Sequence, residues 1–229
     1  MRRTPTSWRL LVLLILSSAC PKSDSDPKLV DVATIDPTIA FDIRYAGTNN
    51  FVGEAIDGYE APRCLLTPQA AGALVRAQRQ LRERGLGLLI YDCYRPQRAV
   101  DQFVRWAKDL SDTREKARFY PHVPKSELLA RGYIASRSSH SRGSTVDLTL
   151  VRLSGPERGD PLDMGTDFDL FDPKSHTAAE NVSEAARENR RTLVDAMTAA
   201  GFENLPVEWW HYTLKDEPYP STYFDVVIR

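Results

Sequence analysis

Apolar residues along the chain follow two rhythms. In "TPQAAGALVRAQRQLRERG", Ala71, Leu74, Val75 and Leu81 share one helical stripe. Thr67 stands at the N-cap position, Pro68 at the first helical position and Gly85 as a stop. "QRAVDQFVRWAKDL" repeats that period with Val100, Phe103, Val104 and Ala107, and "AAENVSEAARENRRTLVDAMTAAG" predicts a long amphipathic helix ended by Gly201. Other stretches lack the stripe. "LGLLIYDCY" reads as a buried strand running into Arg95-Pro96, and "VEWWHYTL" is aromatic and β-prone. "TVDLTLVRL" alternates, with Val146, Leu148 and Leu150 on one face and Asp147 and Thr149 on the other. Helices and strands mixed without a regular βαβ rhythm predict one α+β domain, a largely antiparallel sheet packed with helices, over residues 29–229.

Ahead of that domain, "MRRTPTSWRLLVLLILSSA" has Arg2, Arg3 and Arg9, then an apolar run from Leu10 to Leu16, then small residues. This is the layout of a secretory signal over residues 1–19, too short to span a bilayer, which takes roughly 20 apolar residues. "LSSAC" also resembles a bacterial lipoprotein signal in which Cys20 becomes the lipidated first residue and a membrane attachment; plain cleavage is the alternative, since Ser17 stands where that signal prefers Leu. The polar, Pro-flanked residues 20–28 then form a flexible tether. On either route the chain is expected to be exported, periplasmic or lipid-anchored in the cell envelope. Losing the signal removes three arginines and no acids, taking a net charge of -1 to about -4. With 42% hydrophobic and 27% charged residues, composition argues against disorder and against nucleic acid, and leaves a small molecule as the expected partner, with no protein partner predicted. Export permits disulfides. Of the three cysteines, Cys64 and Cys93 form a bridge if Cys20 carries lipid, or else remain two buried thiols.

The chemistry concentrates in "SSHSRGSTVDLTL", with His140 and Asp147, and "EWWHY", with Glu208 and His211. Two imidazoles and one carboxylate make a nitrogen/oxygen ligand set with a fourth position open to water, as in catalytic zinc sites. A further carboxylate that does not bind the metal can move the water's proton, and Glu208 is the candidate. On a regular strand residues three apart face opposite ways, so Glu208 and His211 can serve one site only if the chain bends between them. Arg95 follows a strand end, where a guanidinium can stabilise an oxyanion. Each motif also has a plainer reading: a surface-loop histidine, a core aromatic strand and a surface arginine.

Taken together and in this order, these motifs resemble the zinc D-alanyl-D-alanine dipeptidases of the VanX type, relatives of the zinc D-Ala-D-Ala carboxypeptidases and of Hedgehog N-terminal domains. "IRYAGTNNF", "DGYE", "MGTDFDLFD", "NRR" and "DEPYPSTYFD" extend the likeness over nearly all of residues 29–229. The resemblance implies the Hedgehog/DD-peptidase-like fold and one zinc per chain held by His140, Asp147 and His211. It implies Glu208 as general base and Arg95 as transition-state stabiliser. Asp169 would receive the ammonium group of a dipeptide, Tyr45 would line the same pocket, and Ser138 or Ser139 would touch the dipeptide backbone. The expected reaction is hydrolysis of D-Ala-D-Ala to two D-alanines. The alternatives are a D,D-carboxypeptidase acting on peptidoglycan stem peptides and a non-catalytic zinc-stabilised binding module.

Overall fold

The computed structural model describes Met1 and residues 26–229. The expected signal, Cys20 and most of the tether therefore lie outside the described residues. Strand β1 (Val30–Asp31) leads into a single helical turn, α1 (Val32–Ile35), and strand β2 (Ala40–Phe41) follows. β3 (Leu65–Leu66) pairs antiparallel with β1. Next comes helix α2 (Pro68–Arg82), capped by the Thr67 hydroxyl, which accepts from the Ala70 N–H, and followed by Gly85 at φ +71°. Both helix signals in the sequence thus operate, although the last helical residue precedes Gly85.

β4 (Leu86–Asp92) and helix α3 (Gln97–Lys108) are joined by the turn that carries Arg95. After the one-turn α4 (Lys116–Phe119) and a long irregular stretch come β5 (Thr145–Arg152), helix α5 (Glu184–Ala199), β6 (Phe202–Asn204) and β7 (His211–Leu214). The main sheet has the order β2-β4-β5-β7-β6, parallel only between β2 and β4. This is the largely antiparallel sheet of an α+β domain. α2 and α5 pack on the sheet and on each other. Leu88, Ile90, Val146, Leu148 and Leu150 are all fully buried. The alternation of β5 leaves Asp147 and Thr149 on the opposite face, and they are buried as well. Among the described residues no helix is long and apolar enough to cross a membrane.

Two elements differ from the sequence pattern. Helix α5 starts at Glu184 rather than before residue 180, because the Ser183 hydroxyl accepts the Ala186 N–H and ends the preceding loop there. The aromatic segment is a strand only from His211 onward. Before it the chain makes successive turns, Glu208 N–H to Leu205 O at 2.9 Å and His211 N–H to Glu208 O at 3.4 Å, while Trp209 and Trp210 are buried.

Candidate active site

Two irregularities in the sheet build the site. In the β4–β5 ladder Ile90 pairs with Leu148 but Asp92 pairs with Asp147, so Tyr91 is an extra residue that bulges out of the register. On the other side of β5, Asp147 lies opposite His211. The bulge and the turns before β7 therefore set Asp92, Asp147 and His211 side by side across three strands. A short 3₁₀ turn over Ser139–Arg142 brings in His140, with the Ser138 hydroxyl accepting the His140 N–H at 3.3 Å and Gly143 closing the turn at φ +81°. That backbone angle favours glycine. A Cβ there would also stand 2.9 Å from Leu29 Cδ2.

Asp147 Oδ1 lies 3.2 Å from His140 Nε2 and 3.1 Å from His211 Nδ1, and those two nitrogens are 3.3 Å apart. Donors arranged tetrahedrally around a metal at bond lengths of about 2.0–2.2 Å are spaced by about 3.3–3.5 Å, so the three atoms fit one ion. Asp147 Oδ1 is buried and accepts no hydrogen bond, a state that costs free energy unless a cation meets it. The outer nitrogens are held in turn. His140 Nδ1 donates to the Cys93 carbonyl at 2.7 Å, which leaves Nε2 as a bare lone pair, and His211 Nε2 faces the Ser139 hydroxyl at 3.1 Å. Burial works to raise the Asp147 pKa, but the two imidazoles packed against it, His140 and His211, outweigh burial and hold the carboxylate well below its usual range.

The other expected residues gather around this set. Glu208 is not one of the three converging donors; its Oε2 is 3.4 Å from His211 Nδ1, and burial raises its pKa. The turns at Leu205–His211 point both residues into one cleft, which a regular strand could not do. Arg95 binds Asp92 Oδ2 through Nε and Nη2, both at 2.9 Å, and its Nη2 reaches to 3.5 Å from Asp147 Oδ2. Its guanidinium lies over the Tyr45 ring at 4.8 Å. The Tyr45 hydroxyl donates to Asp169 Oδ2 at 2.8 Å, both groups being buried. Asp169 is the one non-glycine among the described residues with positive φ, at 62°. Aspartate tolerates that region better than most residues, and the cost is accepted where the backbone must aim a side chain. Burial, and then the charge of Asp147, push the Asp169 pKa well above its ordinary value. The whole constellation opens into a groove of about 600 Å³.

Ser138 and Ser139 both line the groove, yet their hydroxyls already serve the 3₁₀ turn and the His211 ring. Cys64 and Cys93 are joined as a disulfide with Cα atoms 5.2 Å apart, which fastens the end of β4 beside the carbonyl that orients His140.

One residue escaped the sequence reading. Asp92 is wholly buried and acts as a hub: it takes Arg95 at 2.9 Å, accepts from the Tyr59 hydroxyl at 2.6 Å and lies 3.4 Å from His140 Nδ1. Its signal was a carboxylate inside the apolar run "LLIYDCY", a place that charged residues occupy only when paired.

Residues 25–229 match the Peptidase M15 family described as D-ala-D-ala dipeptidase, a span that takes in every site residue from Tyr45 to His211. The chain belongs to that family. Among curated members it is 48% identical over 201 residues to a D-alanyl-D-alanine dipeptidase of Streptomyces coelicolor, covering 86% of this chain and 98% of the relative. A D-alanyl-D-alanine dipeptidase of Enterococcus faecalis is 45% identical over 190 residues, covering 83% and 93%. The family likeness extends to Escherichia coli K12, where a third dipeptidase is 36% identical over 187 residues, covering 82% and 84%.

Proposed function

We propose that this member of the D-Ala-D-Ala dipeptidase family hydrolyses free D-Ala-D-Ala to two D-alanines, with one zinc ion per chain held by His140, Asp147 and His211. In such a ligand set zinc acts as a Lewis acid that acidifies water and polarises a carbonyl. The protein's own groups then divide the remaining work. Glu208, beside the ligand set but outside it, takes the proton from the attacking water and passes it to the departing amine. Its burial-raised pKa brings it closer to the range in which a group can do both. Arg95, fixed by Asp92, presents its guanidinium to the oxyanion that develops at the carbonyl. Asp169 and the Tyr45 hydroxyl receive the ammonium end.

The observation that carries the choice of a dipeptide is Asp169. It is buried, its one hydrogen-bond partner among the described residues is neutral Tyr45, and its raised pKa expresses the cost of ionising there alone. A substrate ammonium supplies the missing cation. An acylated or longer chain would not, and would leave the carboxylate unpaired at a cost of about 1–3 kcal/mol or more. The expected result is cleavage of D-Ala-D-Ala at least about 100-fold more efficiently than N-acetyl-D-Ala-D-Ala, abolished by a chelator and restored by zinc. Equal cleavage of both substrates would instead favour a D,D-carboxypeptidase acting on stem peptides. We further propose that the protein works outside the cytoplasm, periplasmic or anchored through lipid on Cys20. The Cys64–Cys93 disulfide supports that location, since such bonds persist in oxidising compartments. Mass spectrometry of the mature N-terminus from membrane and soluble fractions tests it.

A further inference from the structure

A dipeptide carries an anion as well as a cation, and the groups described above account only for the cation. Asp169 takes the ammonium on one side of the scissile bond, so the carboxylate must lie on the other. Two of the cations lining the groove are already committed. Arg95, fixed by Asp92, serves the oxyanion in the reading above. Arg142 grips both oxygens of Glu217, with Nε at 3.0 and 2.9 Å and Nη2 at 2.8 Å. Arg137 and Lys215 also line the groove, and neither makes an ion pair among the described residues. Arg137 and Lys215 are both exposed; Lys215, beyond the end of β7, has no ring or carboxylate against it among the described residues. Holding it still would cost the rotamer entropy of a long chain. Arg137 is braced, with its guanidinium over the Tyr223 ring at 5.0 Å, and it directly precedes Ser138. The Ser138 hydroxyl accepts from His140 N–H and keeps its own proton free to donate.

From this juxtaposition we infer that Arg137, stacked on Tyr223 and aided by the Ser138 hydroxyl, receives the substrate's C-terminal carboxylate and makes the site selective for a free acid. The planar guanidinium offers paired donors to a carboxylate, which a lysine cannot match. This assignment rests on the dipeptidase reading and adds to it a second charged end. Together the two subsites measure a substrate that is exactly two residues long, since a third residue at either terminus would displace one of the two charges.

The test compares D-Ala-D-Ala with D-Ala-D-alaninamide, which keeps the ammonium and loses the carboxylate charge, on the zinc-loaded wild type and on the Arg137→Gln and Lys215→Gln variants. For the acid, Arg137→Gln should raise KM by about 10- to 100-fold with little change in kcat, and it should leave the amide and the zinc content unchanged. Lys215→Gln should behave as wild type. An equal effect of Arg137→Gln on acid and amide, or an acid-selective loss in Lys215→Gln instead, would overturn the assignment. So would a wild type indifferent to the amide. Equilibrium binding of both compounds to Glu208→Ala protein repeats the comparison without turnover. If the wild type binds the acid through Arg137 but fails to cleave it, the dipeptidase reading falls and the carboxylate subsite stands.

Discussion

The Cys64–Cys93 bridge offers a test in which the magnitude can be worked from the fold. It joins residues 29 apart in sequence, and closing a loop of that length removes about 3.6 kcal/mol of chain entropy from the unfolded state at 25 °C. In a domain of this size each kcal/mol moves Tm by about 2–4 °C, so the Cys64→Ala/Cys93→Ala variant, or the reduced wild type, should melt about 7–14 °C lower. Calorimetry should be run with chelator present, because a bound ion adds its own stabilisation and would blur the difference. There is a local consequence as well. The Cys93 carbonyl accepts the Nδ1–H of His140 at 2.7 Å, so loosening the end of β4 should also speed metal loss to a competing chelator, even well below Tm. A Tm shift below about 2 °C, with the bridge verified by mass spectrometry in the untreated protein, would refute the entropic argument. Two freely alkylated thiols in protein taken from the envelope would remove its premise.

Three further outcomes are expected at the site. His211→Ala should lose the metal, measured as zinc per chain after dialysis, because it removes one of three converging donors; full retention would displace the ligand assignment. Glu208→Ala should keep the metal but lose turnover by about 10²- to 10⁴-fold or more, and a variant within tenfold of wild type would exclude Glu208 as the base. Asp169 should set an acid limb in KM: burial and Asp147 raise its pKa, so as pH falls through that raised value the carboxylate takes up a proton and the substrate ammonium loses its partner. KM for D-Ala-D-Ala should therefore rise at a higher pH than an exposed aspartate near 3.9 would allow, and in Asp169→Asn this pH dependence of KM should be absent.

The parts of the site that lie within one element were legible in the sequence. The alternation of "TVDLTLVRL" placed Asp147 opposite Val146 and Leu148 before any fold was known, and β5 has that arrangement. Thr67, Pro68 and Gly85 bounded α2 by local backbone chemistry alone. Less was legible where one segment depends on another. The span of "VEWWHYTL" suggested a strand throughout, because aromatic content reports burial and not direction. Trp209 and Trp210 are buried in turns as completely as they would be in a sheet. Helix formers before Ser183 predict an earlier start for α5, and a cap hydrogen bond outweighs their propensity.

Asp92 shows why the rest was hidden. It is chemically ordinary in its own segment and becomes functional only through partners far away in the chain, Tyr59 and His140. The Tyr91 bulge makes this possible. In an unbroken register Tyr91 would stand opposite Asp147, and Asp92 would project from the other face of the sheet. One inserted residue therefore exchanges an aromatic ring for a carboxylate beside the three converging donors, and that carboxylate lies against both His140 and the Arg95 guanidinium. Buried charge accounts for the persistence of the arrangement. Asp92, Asp147 and Asp169 are all buried around one cleft, where the charge of Asp147 raises the pKa of both others, and they stay compatible with folding only while Arg95 and the two imidazoles share the load. A metal ion and a substrate ammonium are the two cations that the proposed reaction brings to this carboxylate-rich cleft.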